Sequence, residues 1–475
     1  MANWKLNLYH MMPPFARNWV ASMHGYYLRS WRYGEDTEQF IEEALERDKW
    51  SIERRNDYQE DHLSRILHRA RTQVPYYRDM WATRRKRGDN ASWEYLENWP
   101  ILSKEALRAN PIAFIPDDCD LNKLYVDNTS GTTGTPLKLY LSRAMNHHWY
   151  ALFEARWRRW YGLSRYENWA IVGGQPVVPT HTKRPPYWIW NSALNQLYLS
   201  ANHISAQNAE AYLDALQCYE ITHIVAYTSS ITYLAQQLQA RGANAKLSKL
   251  KAIVTNAEPV FEWQRSILEP VFGCPVYETY GMGEMVTAAS ADNKGRLRLW
   301  PEPGYLEVLD DDNDERVGVG TIGRLVATSL MNECMPLIRY QIGDRSGLSS
   351  EEIHESDPIQ HPILLPIQGR SSDMLITEDG RRVFWLNPIF YELPVVEAQI
   401  QQDRIGEVII RYVPATWFED KTLGEIEKRL IGKMGNVTVN FEKMEKIPRG
   451  ASGKFRPVIC NVKTEVKADS VNAHE

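Results

Sequence analysis

Asn128-Thr129-Ser130-Gly131-Thr132-Thr133-Gly134-Thr135-Pro136-Leu137-Lys138 gathers hydroxyls, two glycines and a cation into one short loop. Glycine lets the backbone pass through positive φ and lie close to a ligand. Hydroxyl and amide donors can then meet phosphate oxygens, and a lysine adds a point charge. A solvated Ser/Thr/Gly turn has the same composition, and the spacing is not the GxxxxGK[ST] of P-loop enzymes. Both readings stay open on this stretch alone. Strand-like residues flank it, Tyr125-Val126-Asp127 before and Leu137-Lys138-Leu139-Tyr140 after, which predicts a strand–loop–strand.

Five further segments follow in order along the chain. They are Asn256-Ala257-Glu258-Pro259, Tyr280-Gly281-Met282-Gly283-Glu284, Tyr340-Gln341-Ile342-Gly343-Asp344, Gly369-Arg370-Ser371-Ser372-Asp373 and Pro448-Arg449-Gly450-Ala451-Ser452-Gly453-Lys454. With the opening loop, this set resembles the adenylate-forming superfamily of acyl-CoA synthetases and luciferases. Within it the chain is similar to the phenylacetate–CoA ligase family, in its CapK-like branch of capsular-polysaccharide biosynthesis. Pro336-Leu337-Ile338-Arg339-Tyr340 and Gly453-Lys454-Phe455-Arg456 carry that branch's flavour. The likeness runs from about Trp50 to Ile459.

The 475 residues exceed one compact core and predict two or three domains. With 55 basic and 60 acidic side chains the net charge is -5, which argues against a nucleic-acid partner. Cys119, Cys218, Cys274, Cys334 and Cys460 form no CxxC pair and read as reduced cytosolic thiols, so the expected location is cytoplasmic. No apolar run is long enough for a membrane span. Residues 1–33 nevertheless interleave Trp4, Leu6, Tyr9, Phe15, Trp19, Tyr26, Tyr27, Leu28 and Trp31 with Lys5, Arg17, Arg29 and Arg32. Packing against the protein's own body is the preferred reading of this amphipathic pattern, and peripheral contact with a membrane is the alternative.

Helical periodicity runs from Glu35 to Arg84, broken at Pro75-Tyr76-Tyr77, and Ser103 with Glu105 signals a helix start. Residues 145–163 predict one helix with Trp149, Phe153, Trp157 and Trp160 on its buried face and Arg156, Arg158 and Arg159 on a solvated edge. From Asn168 the chain alternates: strand 168–173, helix 209–219, strand 223–227, helix 231–241, strand 251–255, helix 261–272 and strand 276–280. That rhythm predicts a mostly parallel sheet covered by helices, with ligands beyond the carboxyl ends of the strands. Residues 297–330 read as a β-rich subdomain in which the acidic run 310–315 makes a solvated hairpin turn rather than a calcium loop. Strand 405–412, helix 423–434 and strand 437–441 predict a small α+β unit.

The expected fold is therefore α/β. A large N-terminal domain, residues 1–369, has a helical extension over 1–84, and a small C-terminal domain, 370–475, follows a hinge at 370–374. The resemblance implies that this small domain is mobile. It also implies roles for individual residues. Thr129, Ser130, Gly131, Thr132, Thr133 and Gly134 match the loop over the β- and γ-phosphates, and Lys138 lies near that loop's lysine without matching its register. Ala257, Glu258 and Pro259 line the adenine site, Tyr280 with Gly281 contacts the base, and Asp344 accepts from the ribose hydroxyls. Glu284 matches the magnesium ligand, Arg370 the residue near ribose and phosphate, and Lys454 the lysine bridging substrate carboxylate and α-phosphate. Gly283 departs from the usual Ser or Thr, and Ser372 from the usual hinge carboxylate.

The implied activity is an AMP-forming ligase using ATP and Mg2+. It activates a small carboxylic acid and passes the acyl group to an acceptor, either coenzyme A or an amine or hydroxyl on a sugar. Tyr227, Gln175 and Trp188, with His181, Lys183, Arg184, Trp190 and Asn191, are the candidate lining of a mixed polar pocket. A catalytically silent nucleotide-binding scaffold on the same fold is the competing reading, and a homodimer is the candidate assembly.

Overall fold

The computed structural model describes residues 3–128, 137–173, 175, 177–179, 181–242, 245–368, 374–383, 386–390, 393–415, 417–449 and 455–462. Helices α1 (Asn3–Met11), α2 (Pro14–Arg32), α3 (Thr37–Arg47), α4 (Ile52–Gln73) and α5 (Pro75–Lys86) open the chain. Pro75 does not end in a loop: it takes the first position of α5, where a backbone N–H has no partner to lose. The larger break falls at residues 48–51, where the Ser51 hydroxyl accepts from the Arg54 amide and restarts the helix. Ser103 caps α6 (Lys104–Ala109) in the same way, through the Ala106 amide.

Strands β1 (Tyr125–Asn128) and β2 (Lys138–Leu141) pair antiparallel, with Asn128 opposite Lys138. Residues 129–136, which include the expected phosphate loop 129–134, lie between them and outside the described residues. Helix α7 (Arg143–Phe153) follows, and here the single-helix expectation fails. The winding widens to a π-helical turn over Glu154–Arg158 and then tightens into a 3₁₀ turn over Arg159–Tyr161. Arg156 and Arg158 are buried rather than solvated. The Arg156 guanidinium meets Asp48 at 2.9 Å and Glu302 at 2.6 Å, two carboxylates far away in sequence.

The alternating region then builds β3 (Trp169–Gly173), β4 (Trp188–Asn191), β5 (Gln196–Ser200), α8 (Ala209–Cys218), β6 (His223–Tyr227), α9 (Thr228–Ala240), β7 (Ala252–Asn256), α10 (Glu262–Phe272), β8 (Val276–Gly281), β9 (Ala288–Ala291) and β10 (Leu297–Leu299). The β-rich part adds β11 (Gly304–Leu309), β12 (Gly323–Ser329), β13 (Tyr340–Ser346) and β14 (Ile363–Leu364). A nine-stranded sheet runs β14-β10-β9-β8-β7-β6-β3-β5-β4. Its centre, β5-β3-β6-β7-β8, is parallel, and both flanks are antiparallel. The parallel strands carry near-continuous apolar runs because helices cover both faces.

Strands β11, β12 and β13 form a separate antiparallel sheet, and its loop 310–322 contains the acidic run. Asp310 accepts from the Asp312 and Asn313 amides, while Arg324 pairs with Asp314 and Arg345 with Asp311. The same loop holds Gly318-Val319-Gly320-Thr321-Ile322-Gly323. That is the spacing of a dinucleotide-binding turn, but here it joins two antiparallel strands and opens no helix, so it carries no such role. Among the described residues, no cluster of three His, Cys, Asp or Glu could hold a metal.

A second compact unit begins at Gln368. It contains β15 (Leu375–Ile376), β16 (Arg382–Val383), β17 (Val395–Arg404), β18 (Glu407–Pro414), α11 (Lys421–Met434), β19 (Thr438–Lys443) and β20 (Val458–Cys460), with the main sheet in the order β19-β18-β17-β20. Strand β17 was not anticipated. It turns into β18 through Ile405 and Gly406, whose φ of 80° suits glycine, so the strand expected from Ile405 starts two residues later. Ile400, Val408, Ile410, Ile426, Leu430 and Met434 give this unit its own apolar core.

Candidate active site

Strands β3, β6, β7 and β8 lie side by side and parallel, so the loops after their carboxyl ends gather along one edge of the sheet. Gln175 follows β3, Tyr227 ends β6, Asn256 to Pro259 leave β7, and Gly281 to Glu284 leave β8. Sequence order alone thus brings the expected adenine segment, base-contacting tyrosine and magnesium carboxylate together. Trp188 is not among them. It sits on the edge strand β4, three strands from β6, and packs on the core with its ring 6.4 Å from Tyr212. Trp190 likewise stacks on Tyr219 at 5.0 Å. Both rings are half-buried against that core.

Ala257 holds a left-handed backbone, φ 64°, which a residue with a Cβ keeps only under constraint from its surroundings. Glu258 supplies that constraint. Its carboxylate accepts from the Ser229 amide at 2.7 Å and the Ser229 hydroxyl at 3.1 Å, and its carbonyl accepts from the Thr228 hydroxyl at 3.0 Å. The side chain therefore caps the positive end of α9. Glu278 stands two residues before Tyr280, on the same face of β8. Burial pushes its carboxyl up to about 7, against the pull of the Val260 amide and of Arg265.

The Tyr280 hydroxyl donates to Asp344 at 2.9 Å, so the expected base and ribose contacts form one hydrogen-bonded pair. Glu284 is buried, and one of its carboxylate oxygens accepts from Lys104 at 2.8 Å and from the Tyr340 hydroxyl at 2.7 Å. Burial pushes the Glu284 carboxyl up, but the Lys104 charge and the two hydrogen bonds outweigh it and hold the pKa below the ordinary value. Lys104 was absent from the sequence expectations. Its placement follows from a parallel bridge: the Leu102 amide donates to the Arg339 carbonyl and the Gln341 amide to the Leu102 carbonyl, which fixes the start of α6 beside β13. Tyr340 and Asp344 both lie on β13, on either side of Gly343, whose φ is 90°. The helix-start signal at Ser103 and the tyrosine inside the 340–344 segment were both visible, but neither names a partner so far along the chain.

Leu137, just before β2, and Leu139 within it pack in the same core cluster as Leu102, Leu107, Val286 and Tyr340. The hairpin from which residues 129–136 spring is thereby rooted beside Glu284. Lys138 is exposed at the start of β2. Residues 129–134, Arg370, Ser372 and Lys454 all lie outside the described residues. Next to Lys454 in sequence, Arg449 pairs with Glu397 of β17 and lies 4.7 Å over the Phe455 ring. Gly283 is described and exposed, in the turn between β8 and Met285.

The chain's segments also match known families. The AMP-binding enzyme model matches residues 57–331, more than half of the chain, and the CapK C-terminal domain model matches residues 375–461. The chain belongs to the AMP-binding enzyme family. It is 27% identical over 375 residues to Protein CapK of Staphylococcus aureus, covering 77% of this chain and 80% of that one. It is 25% identical over 348 residues to a phenylacetate-coenzyme A ligase of Pseudomonas putida, covering 70% and 74%. Among solved structures, 2-hydroxyisobutyryl-CoA ligase in the postadenylation state with R3-HIB-AMP superposes with a TM-score of 0.66 at 18% identity, over 87% of this chain and 91% of that one. At that identity the likeness establishes the shared α/β fold of adenylate-forming ligases.

Proposed function

We propose that this ligase converts a carboxylic acid and ATP to an acyl-adenylate and pyrophosphate, then transfers the acyl group to a sugar-borne amine or hydroxyl in surface-polysaccharide biosynthesis. The observation that carries the first half is the joining of Tyr280 to Asp344 beside the buried, ionised Glu284 at the carboxyl edge of the sheet. In the first step a carboxylate oxygen attacks the α-phosphorus and the bond to the β-phosphate oxygen breaks. In the second the acceptor attacks the acyl carbon and AMP leaves. In this reading Asp344 takes hydrogen bonds from ribose, the Tyr280 ring lies against adenine, and the backbone of 257–259 lines the base. Residues 129–134 cover the phosphates, Arg370 meets ribose and phosphate, and Lys454 bridges the carboxylate and α-phosphate. Such work is positioning and charge stabilisation, which needs few groups and no covalent enzyme intermediate.

Magnesium fits this donor set. A hard cation is held by one or two carboxylates together with substrate phosphates, and Glu284 is kept ionised for that purpose. Bound with ATP, the ion would neutralise phosphate charge. Lys104 shares that oxygen and is the second cation available to the phosphates.

The acid is read as polar. The Gln175 side-chain oxygen is buried with no donor reaching it among the described residues, so a substrate hydroxyl or amine would satisfy it. Likeness to Protein CapK and to the CapK C-terminal domain supports the sugar acceptor. The phenylacetate-coenzyme A ligase relatives favour coenzyme A as the second reading. Pyrophosphate exchange across a panel of aryl, uronic and amino acids, followed by product analysis with coenzyme A or amino sugars, separates these. Lys454→Ala is expected to cut exchange by orders of magnitude with ATP affinity nearly intact, since a group acting in the transition state changes rate more than binding. Exchange with no acid at all would leave a nucleotide-binding scaffold instead.

A further inference from the structure

Residues 1–34 hold Lys5, Arg17, Arg29 and Arg32 and not one Asp or Glu. Taking those four from the 55 Lys and Arg leaves 51 against 60 acidic side chains, a charge of −9 on the rest of the chain. The cationic character of this end is therefore local, and among the described side chains its exposed cation is Arg29, since Arg17 is buried and Arg32 lies half-buried over the Tyr150 ring. It coincides with an inverted amphipathic helix. On α2, Phe15, Trp19, Met23 and Tyr26 recur at four, four and three residues, which is one helical face, and they are 76%, 68%, 54% and 62% exposed. On α1, Trp4, Leu8 and Met11 repeat the same spacing, and all three are exposed.

The face turned toward the protein is mixed: Ala21 packs with Val177, Val178 and Ile189, the Trp31 ring lies 5.4 Å from Tyr125, and polar and small residues make the remaining contacts. The Trp190 amide donates to the Asn18 side chain at 3.0 Å, and the Ser192 amide donates to the Ser22 hydroxyl at 3.0 Å. Gly25 is buried against Asn191, where an added Cβ would fall within 2.2 Å of the Asn191 side-chain oxygen. The helix is thus docked by this mixed side and holds the stripe of Phe15, Trp19, Met23 and Tyr26 to water. The expectation that its apolar face would pack on the protein's own body is overturned for this stripe. An aromatic and aliphatic patch of this length in water is costly in proportion to its area and marks a contact surface.

No described helix is long and apolar enough to cross a membrane, so the patch cannot act by spanning. Tryptophan and tyrosine beside arginine suit the headgroup zone of a bilayer, and the exposed Arg29, in a segment without acids, suits its anionic lipids. A second copy of the stripe would bring like charges together. We infer that α1 and α2 seat the protein in the plane of an anionic lipid surface, with Phe15, Trp19 and Met23 inserted and Arg29 among the headgroups. This inference is independent of the ligase reading.

The test is co-sedimentation of the full-length protein with vesicles of phosphatidylcholine alone or with about one third phosphatidylglycerol. Binding is expected on the anionic vesicles, weakening as salt rises from about 0.05 to 0.5 M. Phe15→Glu with Trp19→Glu should lower vesicle affinity at least about tenfold, and Arg29→Glu by roughly tenfold on anionic vesicles only. Because all three residues are exposed, melting temperature should hold, and Trp417→Glu, at a residue 73% exposed elsewhere, should bind as wild type. No binding to either vesicle, or binding unchanged in the double variant, overturns the inference. So does a concentration-dependent dimer that the double variant abolishes in the absence of lipid binding, which would make the stripe an interface between copies.

Discussion

Lys104 keeps a buried carboxylate charged, and the two partners can be separated by pH. Lys104→Met leaves Glu284 with the Tyr340 hydroxyl and its own backbone amide but no cation, so its pKa is expected to rise. In wild type the depressed pKa contributes stability above the unfolded carboxylate range, and that stability fades only as pH falls through the lower folded value. The variant escapes its penalty by protonating. Its destabilisation should therefore be about 1–3 kcal/mol near pH 7 and clearly smaller near pH 4.5. Denaturant midpoints at the two pH values measure this, and an equal loss at both would dismiss the coupling. Asp344→Ala addresses the neighbouring pair. It removes the acceptor of the Tyr280 hydroxyl and, in the proposed reading, of the ribose hydroxyls. AMP affinity by calorimetry should fall roughly tenfold or more, as for loss of hydrogen bonds to a charged group. Unchanged affinity would remove Asp344 from the nucleotide site.

At the scale of elements, the turn Glu154–Arg158 couples three distant pieces of chain. Arg156 is fully buried between Asp48 and Glu302, and Glu302 is the group whose acidity records the coupling: burial raises it, but Arg156 pulls it down to about 2. Arg156→Met strands two buried carboxylates and is expected to cost about 3–5 kcal/mol, read as a fall in denaturant midpoint at neutral pH. A loss under 1 kcal/mol would mean that water or a nearby cation such as Arg47 reaches the acids instead. This network also marks where reading the sequence stopped. Strands β6, β7 and β8 were legible because parallel strands covered on both faces must be apolar throughout, and each lies within one residue of its expected limits. The loops carrying Ala257 to Pro259 and Tyr280 to Glu284 were legible for the same reason, since topology fixes where strand ends meet. Arg156 looked solvated because a 3.6-residue period was assumed through a turn that winds more widely. Strands β4 and β5 were missed because Trp188, Ile189 and Trp190 alternate over only four residues. Lys104 was missed because its partner lies 180 residues away. The first two failures are departures from a regular local period, and the last is a long-range contact that no local pattern encodes.

For the whole molecule, the consequence lies in how many cooperative units it contains. The unit ending at Ile367 buries several apolar clusters around the nine-stranded sheet. The unit from Gln368 buries its own cluster, with Ile426 and Leu430 of α11 against Ile400, Val408 and Ile410 of the β17–β18 hairpin. Two cores that share no residue should unfold as two transitions, because cooperativity follows contiguous packing. Ile426→Ala deletes buried methyl groups from the second core alone and should lower one transition by about 2–4 kcal/mol while leaving the other in place. AMP should do the reverse for the larger unit if the proposed nucleotide site at Ala257, Tyr280 and Asp344 binds it. At a hundredfold excess over its dissociation constant the ligand contributes about 2.7 kcal/mol to whichever unit holds it. Differential scanning calorimetry of wild type and Ile426→Ala, each with and without AMP, places both effects on the same trace. One transition that Ile426→Ala and AMP both move would refute independent cores. Two transitions with AMP acting on the smaller unit would relocate the nucleotide site away from the strand ends of the nine-stranded sheet.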